Sequence, residues 1–132
     1  VLHQPATAPP LPYMTIVHKR LPWKITIRPA HPQHTPYVTV QDLVLGLYAL
    51  LARPAGKGAY EAVPTDGDKA RIVEAYVSRY RAAGDRAGGD RRVREAEKAA
   101  GVKMVDFLMG AVVFRGLSGT SKGAETWELH TS

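Results

Sequence analysis

The chain has 132 residues, of which 45% are hydrophobic and 23% charged, with a formal net charge of +6 and no cysteine. This length suits one domain with a single core, and the composition excludes a wholly disordered chain. The lack of cysteine excludes disulfides, thiol catalysis and cysteine-held zinc or iron–sulfur sites. It favours an intracellular protein, cytoplasmic or nuclear. The chain begins at Val1, so the removal of a targeting segment stays open.

The positive charge is concentrated in the N-terminal half. Residues 1–60 contain six lysines and arginines against one acidic residue. Four of the six lie close together: Lys19, Arg20, Lys24 and Arg28. Such a cluster is typical of a surface that binds an anionic partner, nucleic acid included. A net charge away from zero also favours solubility, and this second interpretation stays open.

Residues 1–12 form a proline-rich arm that contains Pro5, Pro9, Pro10 and Pro12. No helix or strand period is visible there, so we expect an extended or polyproline-like segment. It is either an incoming linker or a ligand for an SH3-type domain. No apolar run in the whole chain approaches the ~18 residues of a transmembrane helix, so we expect no membrane span.

Two strands are predicted before residue 30. Residues 13–18 are rich in β-branched and aromatic side chains, which favours a strand. From residue 23 to 28, apolar and polar side chains alternate, which is typical of a half-buried strand. The alternation places Trp23, Ile25 and Ile27 on its dry face.

The strongest helix signal runs from Thr39 to Pro54. Thr39 and Asp42 have the spacing of an N-terminal capping box, and Pro54 cannot continue a helix. Between them, apolar residues recur at three- and four-residue steps and form one stripe. We expect this stripe to pack against the second strand in a core formed by Trp23, Ile25, Ile27, Leu43, Leu47, Leu50 and Phe114.

Further helices are predicted in the middle of the chain. One covers residues 65–84 and another, capped by Asp90, covers residues 90–100. A short helical turn is expected around residues 60–63. Residues 102–109 fit a buried strand or a helical turn equally well, and both interpretations stay open.

The C-terminal part of the chain predicts a β-hairpin. Residues 112–115 alternate as a strand, and residues 116–124 are rich in Gly, Ser and Thr, which favours a connecting loop. In the last strand, alternation places Trp127 and Leu129 on the buried face. His130 then lies on the outward face.

Strands at both ends of the chain with helices between them predict an α+β fold. We expect a small antiparallel sheet of three to five strands, with two or three helices packed on one face. No internal repeat is present. The expected organisation is therefore the arm, residues 1–12, followed by a single α+β domain over residues 13–132.

No motif with the spacing of a metal, nucleotide or catalytic site is complete in this sequence. His31 and His34 lie three residues apart, but no carboxylate is near them, and scattered histidines explain the pair. Residues 119–123, GTSKG, lack the spacing and the following helix of a phosphate-binding loop, so a hairpin turn is predicted. We therefore predict no metal site and no cofactor.

Asp106 is the one carboxylate embedded in a strongly apolar segment, MVDFLMG. A buried carboxylate suits general acid–base chemistry or a small-ligand pocket. The competing interpretation is that Asp106 caps a short turn or pairs with an arginine such as Arg115.

Five short segments follow one another along residues 16–131. They are LPW with the following ITI strand, VTVQDLVLGLY at residues 38–48, VDFL, FRGL and WELH. Together they resemble a domain family of unknown function that is abundant in mushroom-forming (basidiomycete) fungi. The resemblance implies a fungal source and a compact domain present in many copies per genome, which fits an interaction or regulatory module better than a housekeeping enzyme. It implies no site residue.

Three functional hypotheses emerge. The first is a non-enzymatic protein-interaction or regulatory domain, including self-association through a sheet edge. The second is a nucleic-acid-binding module that uses the basic N-terminal half. The third is a small-ligand binder or enzyme with a pocket near Asp106. No catalytic residue is nominated, and the candidate binding residues are Lys19, Arg20, Lys24, Arg28, Arg115 and His130.

Overall fold

The computed structural model describes residues 2–132, and these divide into two units. A four-stranded sheet lies in the first unit. The first unit comprises the chain up to Leu51 together with Val113–Ser132, and the second comprises Ala52–Val112. Among the described residues, no helix is both long and apolar enough to cross a membrane.

The sheet consists of β1 (Met14–Val17), β2 (Ile25–Ile27), β3 (Phe114–Thr120) and β4 (Gly123–Thr131), in the spatial order β2-β1-β4-β3. The presence of this sheet together with helices confirms the α+β class. The expectation of a purely antiparallel sheet is wrong at the centre, where β1 and β4 run parallel. Two antiparallel hairpins, β1–β2 and β3–β4, supply the outer pairings. The inner strands of the two hairpins, β1 and β4, run parallel. Parallel strands need a long crossover connection, and the helical segment between the two hairpins supplies it.

The face of β2 is as predicted from alternation. Ile25 and Ile27 are buried, and Thr26 between them is exposed. Trp23 lies before the strand begins and is half-buried. The predicted dry face therefore holds for the two isoleucines and only in part for Trp23.

Helix α1 (Val40–Leu51) begins with the predicted capping box. The Thr39 N–H donates to Asp42 Oδ2 at 3.0 Å, and the Asp42 N–H donates to Thr39 Oγ1 at 3.1 Å. The Ala30 N–H also donates to Asp42 Oδ1 at 3.2 Å, which ties the end of the β2 segment to the helix. Burial opposes ionisation of Asp42, but these hydrogen bonds lower its pKa below the ordinary 3.8.

Helix α1 packs closely on β2 because one of its residues has no side chain. A Cβ placed on Gly46 would lie 2.6 Å from Ile27 Cδ1. Leu43 and Leu47 are buried on this side, and Leu50 is half-buried. Phe114 is 54% exposed, so its predicted place in this core is wrong. It opens β3, which forms an edge of the sheet.

The second unit is helical. It contains α2 (Lys57–Glu61), α3 (Asp66–Arg86), α4 (Arg91–Ala99) and a 3-10 helix over Met104–Leu108. The described residues thus hold four α-helices where two or three were expected. The 3-10 helix settles the open interpretation of residues 102–109 in favour of a helical turn.

Side-chain caps begin both α3 and α4, and the cap by Asp90 is the one that was predicted. Thr65 Oγ1 accepts from the Asp68 N–H at 3.1 Å, and Asp90 Oδ1 accepts from the Arg92 N–H at 2.9 Å. The predicted end of α3 at Gly84 is wrong by two residues. A Cβ at Gly84 would lie 2.9 Å from Arg94 Cβ, so this glycine allows α3 and α4 to approach closely and does not stop the helix.

The C-terminal hairpin is tighter than predicted. The strands extend through most of residues 116–124, and Ser121 and Lys122 alone form the turn. Two register shifts in β3 accommodate its glycines. Leu129 is buried and His130 exposed, as predicted, whereas Trp127 is half-buried.

The N-terminal arm contains turns and bends and is extended only at Pro5, and backbone hydrogen bonds hold it in place. The Ala6 N–H donates to the Val38 carbonyl at 2.9 Å, and the Val40 N–H donates to the Gln4 carbonyl at 3.0 Å. Pro5 forms an antiparallel bridge with Thr39. Over these residues the arm thus pairs with the segment that leads into α1.

Candidate functional site

An open groove of about 430 Å³ in the first unit brings together positive charge from two distant segments. One wall is formed by residues 17–24, which end β1 and lead into β2. The other is formed by residues 120–122, which turn the C-terminal hairpin. We call this the basic groove; its polar and aromatic lining includes Lys19, Lys24, Lys122, Trp23, Ser121 and Glu128.

The sheet topology explains why these segments meet. The parallel pairing of β1 with β4 sets Val17 opposite Glu128. The chain leaves β1 at this point, turns through a hydrogen bond from the Leu21 N–H to the His18 carbonyl at 3.0 Å, and enters β2. The hairpin turn is held by Thr120 Oγ1, which accepts from the Lys122 N–H at 3.2 Å.

The three lysines of the basic groove are not neutralised by the protein. Within residues 2–132, none of Lys19, Lys24 and Lys122 has a carboxylate within salt-bridge distance. All three are exposed. Glu128 is the one carboxylate in the lining, which leaves an excess of two positive charges. Such an excess attracts an anionic ligand.

His18 lies buried at the base of the same wall, and both of its ring nitrogens are hydrogen-bonded. The Arg20 N–H donates to Nδ1 at 3.0 Å, and Nε2 lies 2.8 Å from Thr131 Oγ1. A backbone N–H can only donate, so Nδ1 must be the unprotonated nitrogen. Nε2 therefore carries the proton and donates to Thr131, and the ring is neutral in this arrangement.

The surroundings of His18 keep it neutral. Burial lowers its pKa below the ordinary 6.5, and the positive charges of Arg20 and Lys19 lower it further. Glu128 opposes this effect, and His130 adds to it. The lowered pKa of His18 is thus due first to burial and then to the positive charges beside the groove.

Acidification is expected to destabilise the protein through His18. Because its folded-state pKa lies below the unfolded value of 6.5, its contribution to the free energy of unfolding is fully present above about pH 6.5. That contribution is lost as the pH falls towards and through the folded-state pKa. His18→Gln should lose less stability than the wild type between pH 7.5 and 5.5 in urea denaturation. Lys57→Ala, at an exposed position of the second unit, is the control and should keep the wild-type pH dependence. Equal losses in all three proteins would contradict the role of His18.

The other predicted binding residues do not line the groove. Arg20 neighbours it through its bond to His18. Arg28 stacks over the Tyr13 ring, 5.6 Å from its centroid. Arg115 Nε donates to Ser132 Oγ at 2.6 Å, and His130 Nε2 lies 2.7 Å from Ser118 Oγ. Of the six predicted positions, Lys19 and Lys24 are thus the two that the groove brings together.

Asp106, in the second unit, is held by an arginine and by a backbone amide. Arg79 Nε and Nη2 donate to its two oxygens at 2.9 and 3.0 Å, and the Lys103 N–H donates to Oδ2 at 2.9 Å. Asp106 therefore both caps the 3-10 helix and pairs with an arginine, as the competing interpretation expected. The arginine is Arg79 and not Arg115.

Arg79 joins three segments of the second unit. Its Nη1 donates to Glu97 Oε2 at 2.8 Å in α4, and its Nη2 also donates to the Gly101 carbonyl at 3.0 Å. Burial alone would lower the pKa of Arg79, but its bonds to Asp106 and Glu97 raise it. The Lys103 ammonium, 3.2 Å from Glu97 Oε2, lowers the pKa of Glu97. These residues form one hydrogen-bonded network, which we call the Arg79 network.

A second groove, of about 640 Å³, opens beside this network. Ala75, Val105 and Met109 contribute apolar lining, and Arg71 and Glu74 contribute opposite charges. Both Asp106 oxygens already accept hydrogen bonds from protein donors. The geometry therefore gives Asp106 a structural role and does not favour acid–base chemistry there. Across residues 2–132, no group of three or more metal-ligating side chains comes together.

Lys122 is the groove lysine that the sequence did not nominate. Its segment, GTSKG, is a hairpin turn as predicted, and nothing local indicates which other loop that turn approaches. The contact depends on the parallel pairing of β1 and β4, which no local pattern encodes.

Comparison with known proteins identifies the family of the chain. The model of a family of unknown function, DUF6699, matches residues 1–125. No curated protein and no solved structure gave a match. The matched range includes both walls of the basic groove, at residues 17–24 and 120–122.

Proposed function

Since the chain belongs to DUF6699, a family of unknown function, we propose its function from its own geometry: it is a non-enzymatic interaction domain whose basic groove binds an acidic segment of a partner protein. The observation that carries the proposal is the convergence of three unpaired lysines beside Trp23. Lysines attract carboxylates, and a half-buried tryptophan with Pro22 offers an apolar surface for a neighbouring side chain.

The polar groups of the groove support binding better than catalysis. His18 is buried with both nitrogens engaged, and Thr120 Oγ1 donates to the Thr126 carbonyl at 2.9 Å. A nucleophile–base pair needs two such groups within hydrogen-bond reach of each other. His18 and Thr120 bond instead to residues of the sheet and of the adjoining loop.

Sheet-edge association is less well supported than groove binding. β3 is an open edge, but its pairing shifts register between Phe114 and Gly116 and again between Gly119 and Thr120. Such irregularities disfavour the addition of a further strand. We therefore assign the interaction to the groove.

Replacing Lys122 with alanine is expected to weaken binding of an acidic peptide. The probe is acetylated hexaglutamate amide, and binding is followed by NMR shifts of the amides of residues 18–24 and 120–122. Loss of one of three lysines should weaken binding by about three- to tenfold, since a close charge pair contributes on the order of 1 kcal/mol. Lys57→Ala removes an exposed lysine of the second unit and should leave binding unchanged. Equal affinities of both variants, or shifts confined to other residues, would reject the groove as the binding site.

A second candidate function is binding of single-stranded nucleic acid. It is favoured by the position of Trp23 among lysines, since bases stack on aromatic rings while cations contact phosphates. Ten-nucleotide oligothymidylate is the test ligand. If single-stranded nucleic acid is the ligand, the oligonucleotide should shift the NMR signals of the groove amides. Its affinity should then fall steeply between about 50 and 200 mM salt.

A further inference from the structure

We propose that the group recognised by the basic groove is a phosphate monoester on a side chain of the partner, that is, a phosphorylated protein segment. This inference rests on the proposed function and narrows its ligand. It also gives the hairpin turn Ser121–Lys122 a role in specificity, since this turn supplies the third lysine of the groove.

The charge of the groove fits a dianion better than a carboxylate. Three lysines against Glu128 leave an excess of two positive charges in a space of about 430 Å³. One carboxylate side chain brings one negative charge, whereas a phosphate monoester brings about 1.5 to 2 at pH 7. It also offers three acceptor oxygens, one for each ammonium group.

Two further features of the lining suit a phosphate. The Ser121 side chain is exposed at the turn, and it makes no side-chain hydrogen bond within residues 2–132, so its hydroxyl is available as a donor. Arg20 and Lys19 also place positive charge near His18, whose pKa is lowered first by burial and then by these two residues. A ligand that carries two negative charges gains more from positively charged surroundings than one that carries a single charge.

The apolar part of the groove offers a packing surface for the rest of the ligand. Leu21 is buried beneath the loop, and Pro22 and Trp23 line the groove beside Lys24. A residue next to the phosphorylated one can pack on this surface. A partner protein therefore fits the groove better than free phosphate does.

The test compares three capped amino acids as NMR ligands of the full chain: N-acetyl-O-phosphoserine methylamide, its glutamate counterpart and its serine counterpart. We expect the phosphoserine compound to shift the amides of residues 18–24 and 120–122 and to bind about tenfold more tightly than the glutamate compound. Its affinity should fall between pH 7.5 and 5.5, because the second phosphate pKa is about 6. The affinity of the glutamate compound should change less over that range.

Two variants test the assignment to the groove. Lys122→Ala should weaken phosphoserine binding, and Glu128→Gln, which removes the opposing carboxylate, should strengthen it; Lys57→Ala is the control. Glutamate binding as tightly as phosphoserine at the groove would overturn the phosphate inference and leave the proposed function intact. No groove shift with either compound or with hexaglutamate would overturn both. A thymidine trinucleotide that binds the groove more tightly than phosphoserine would overturn the assignment to a protein partner.

Discussion

Replacing Arg79 with alanine is expected to lower the free energy of unfolding by about 3–5 kcal/mol, because it leaves a buried carboxylate without its cation. Asp106 is 2% exposed, and Arg79 supplies a donor to each of its oxygens. The Lys103 N–H would be its remaining partner. Arg79 also links Glu97 and the Gly101 carbonyl, so the mutation separates three segments of the second unit. Urea denaturation followed by circular dichroism measures the loss.

A paired replacement distinguishes lost charge pairing from lost packing. Asp106→Leu combined with Arg79→Met removes both charges and keeps apolar volume, so it should cost less than the two single changes added together. Arg115→Ala is the control, since that arginine is exposed and bonds a terminal serine; its effect should stay within about 0.5 kcal/mol. A loss after Arg79→Ala no larger than that of the control would show that the Arg79 network does not hold the unit together.

Local signals in the sequence were sufficient to locate the starts of α1, α3 and α4. A cap joins residues two or three positions apart, so the spacing of Thr39 and Asp42, and the positions of Thr65 and Asp90, determine the contact directly. The alternation of Ile25 and Ile27 likewise identified the buried face of β2. In each case, the residues that decide the structure lie within one turn or one strand.

Pairings between distant residues could not be predicted in the same way. Asp106 had several candidate arginines, and the one it binds lies 27 residues earlier in α3. The parallel pairing of β1 and β4 follows from a crossover through the whole middle of the chain. Lys19 and Lys24 were visible as a basic cluster, but Lys122 joins them through this pairing alone. Two of the groove's three lysines were therefore visible in the sequence, and the third was not.

One glycine was misinterpreted for a related reason. Gly84 was expected to end α3, because glycine is common just past the end of a helix. Gly46 lies inside α1, although glycine weakens an isolated helix. In the structure, each glycine lies where another side chain approaches, namely Arg94 and Ile27. The close approach is a tertiary property, and it outweighs the local propensity.

In the last strand, Leu129→Ala is expected to be the most damaging of three single substitutions. Leu129 is 3% exposed in β4, between β1 and β3, so its truncation removes buried apolar surface and leaves a cavity. Such changes cost about 2–5 kcal/mol. Trp127 shares its face but is half-buried, and its Nε1 donates to the nearby Ala124 carbonyl at 3.0 Å. Trp127→Ala should therefore cost less than Leu129→Ala, although tryptophan is the larger side chain.

His130→Ala completes the comparison, because His130 lies on the opposite face of β4. Its side chain is exposed and bonds to Ser118 at the surface, so the loss should be about 0.5 kcal/mol or less. Chemical denaturation of the three variants should give the order Leu129, Trp127, His130. If Trp127→Ala is the most damaging, the indole contributes more to the core than its exposure indicates. If His130→Ala is the most damaging, the buried face of β4 is the one that carries Glu128. The basic groove would then lack the carboxylate on which its charge balance depends.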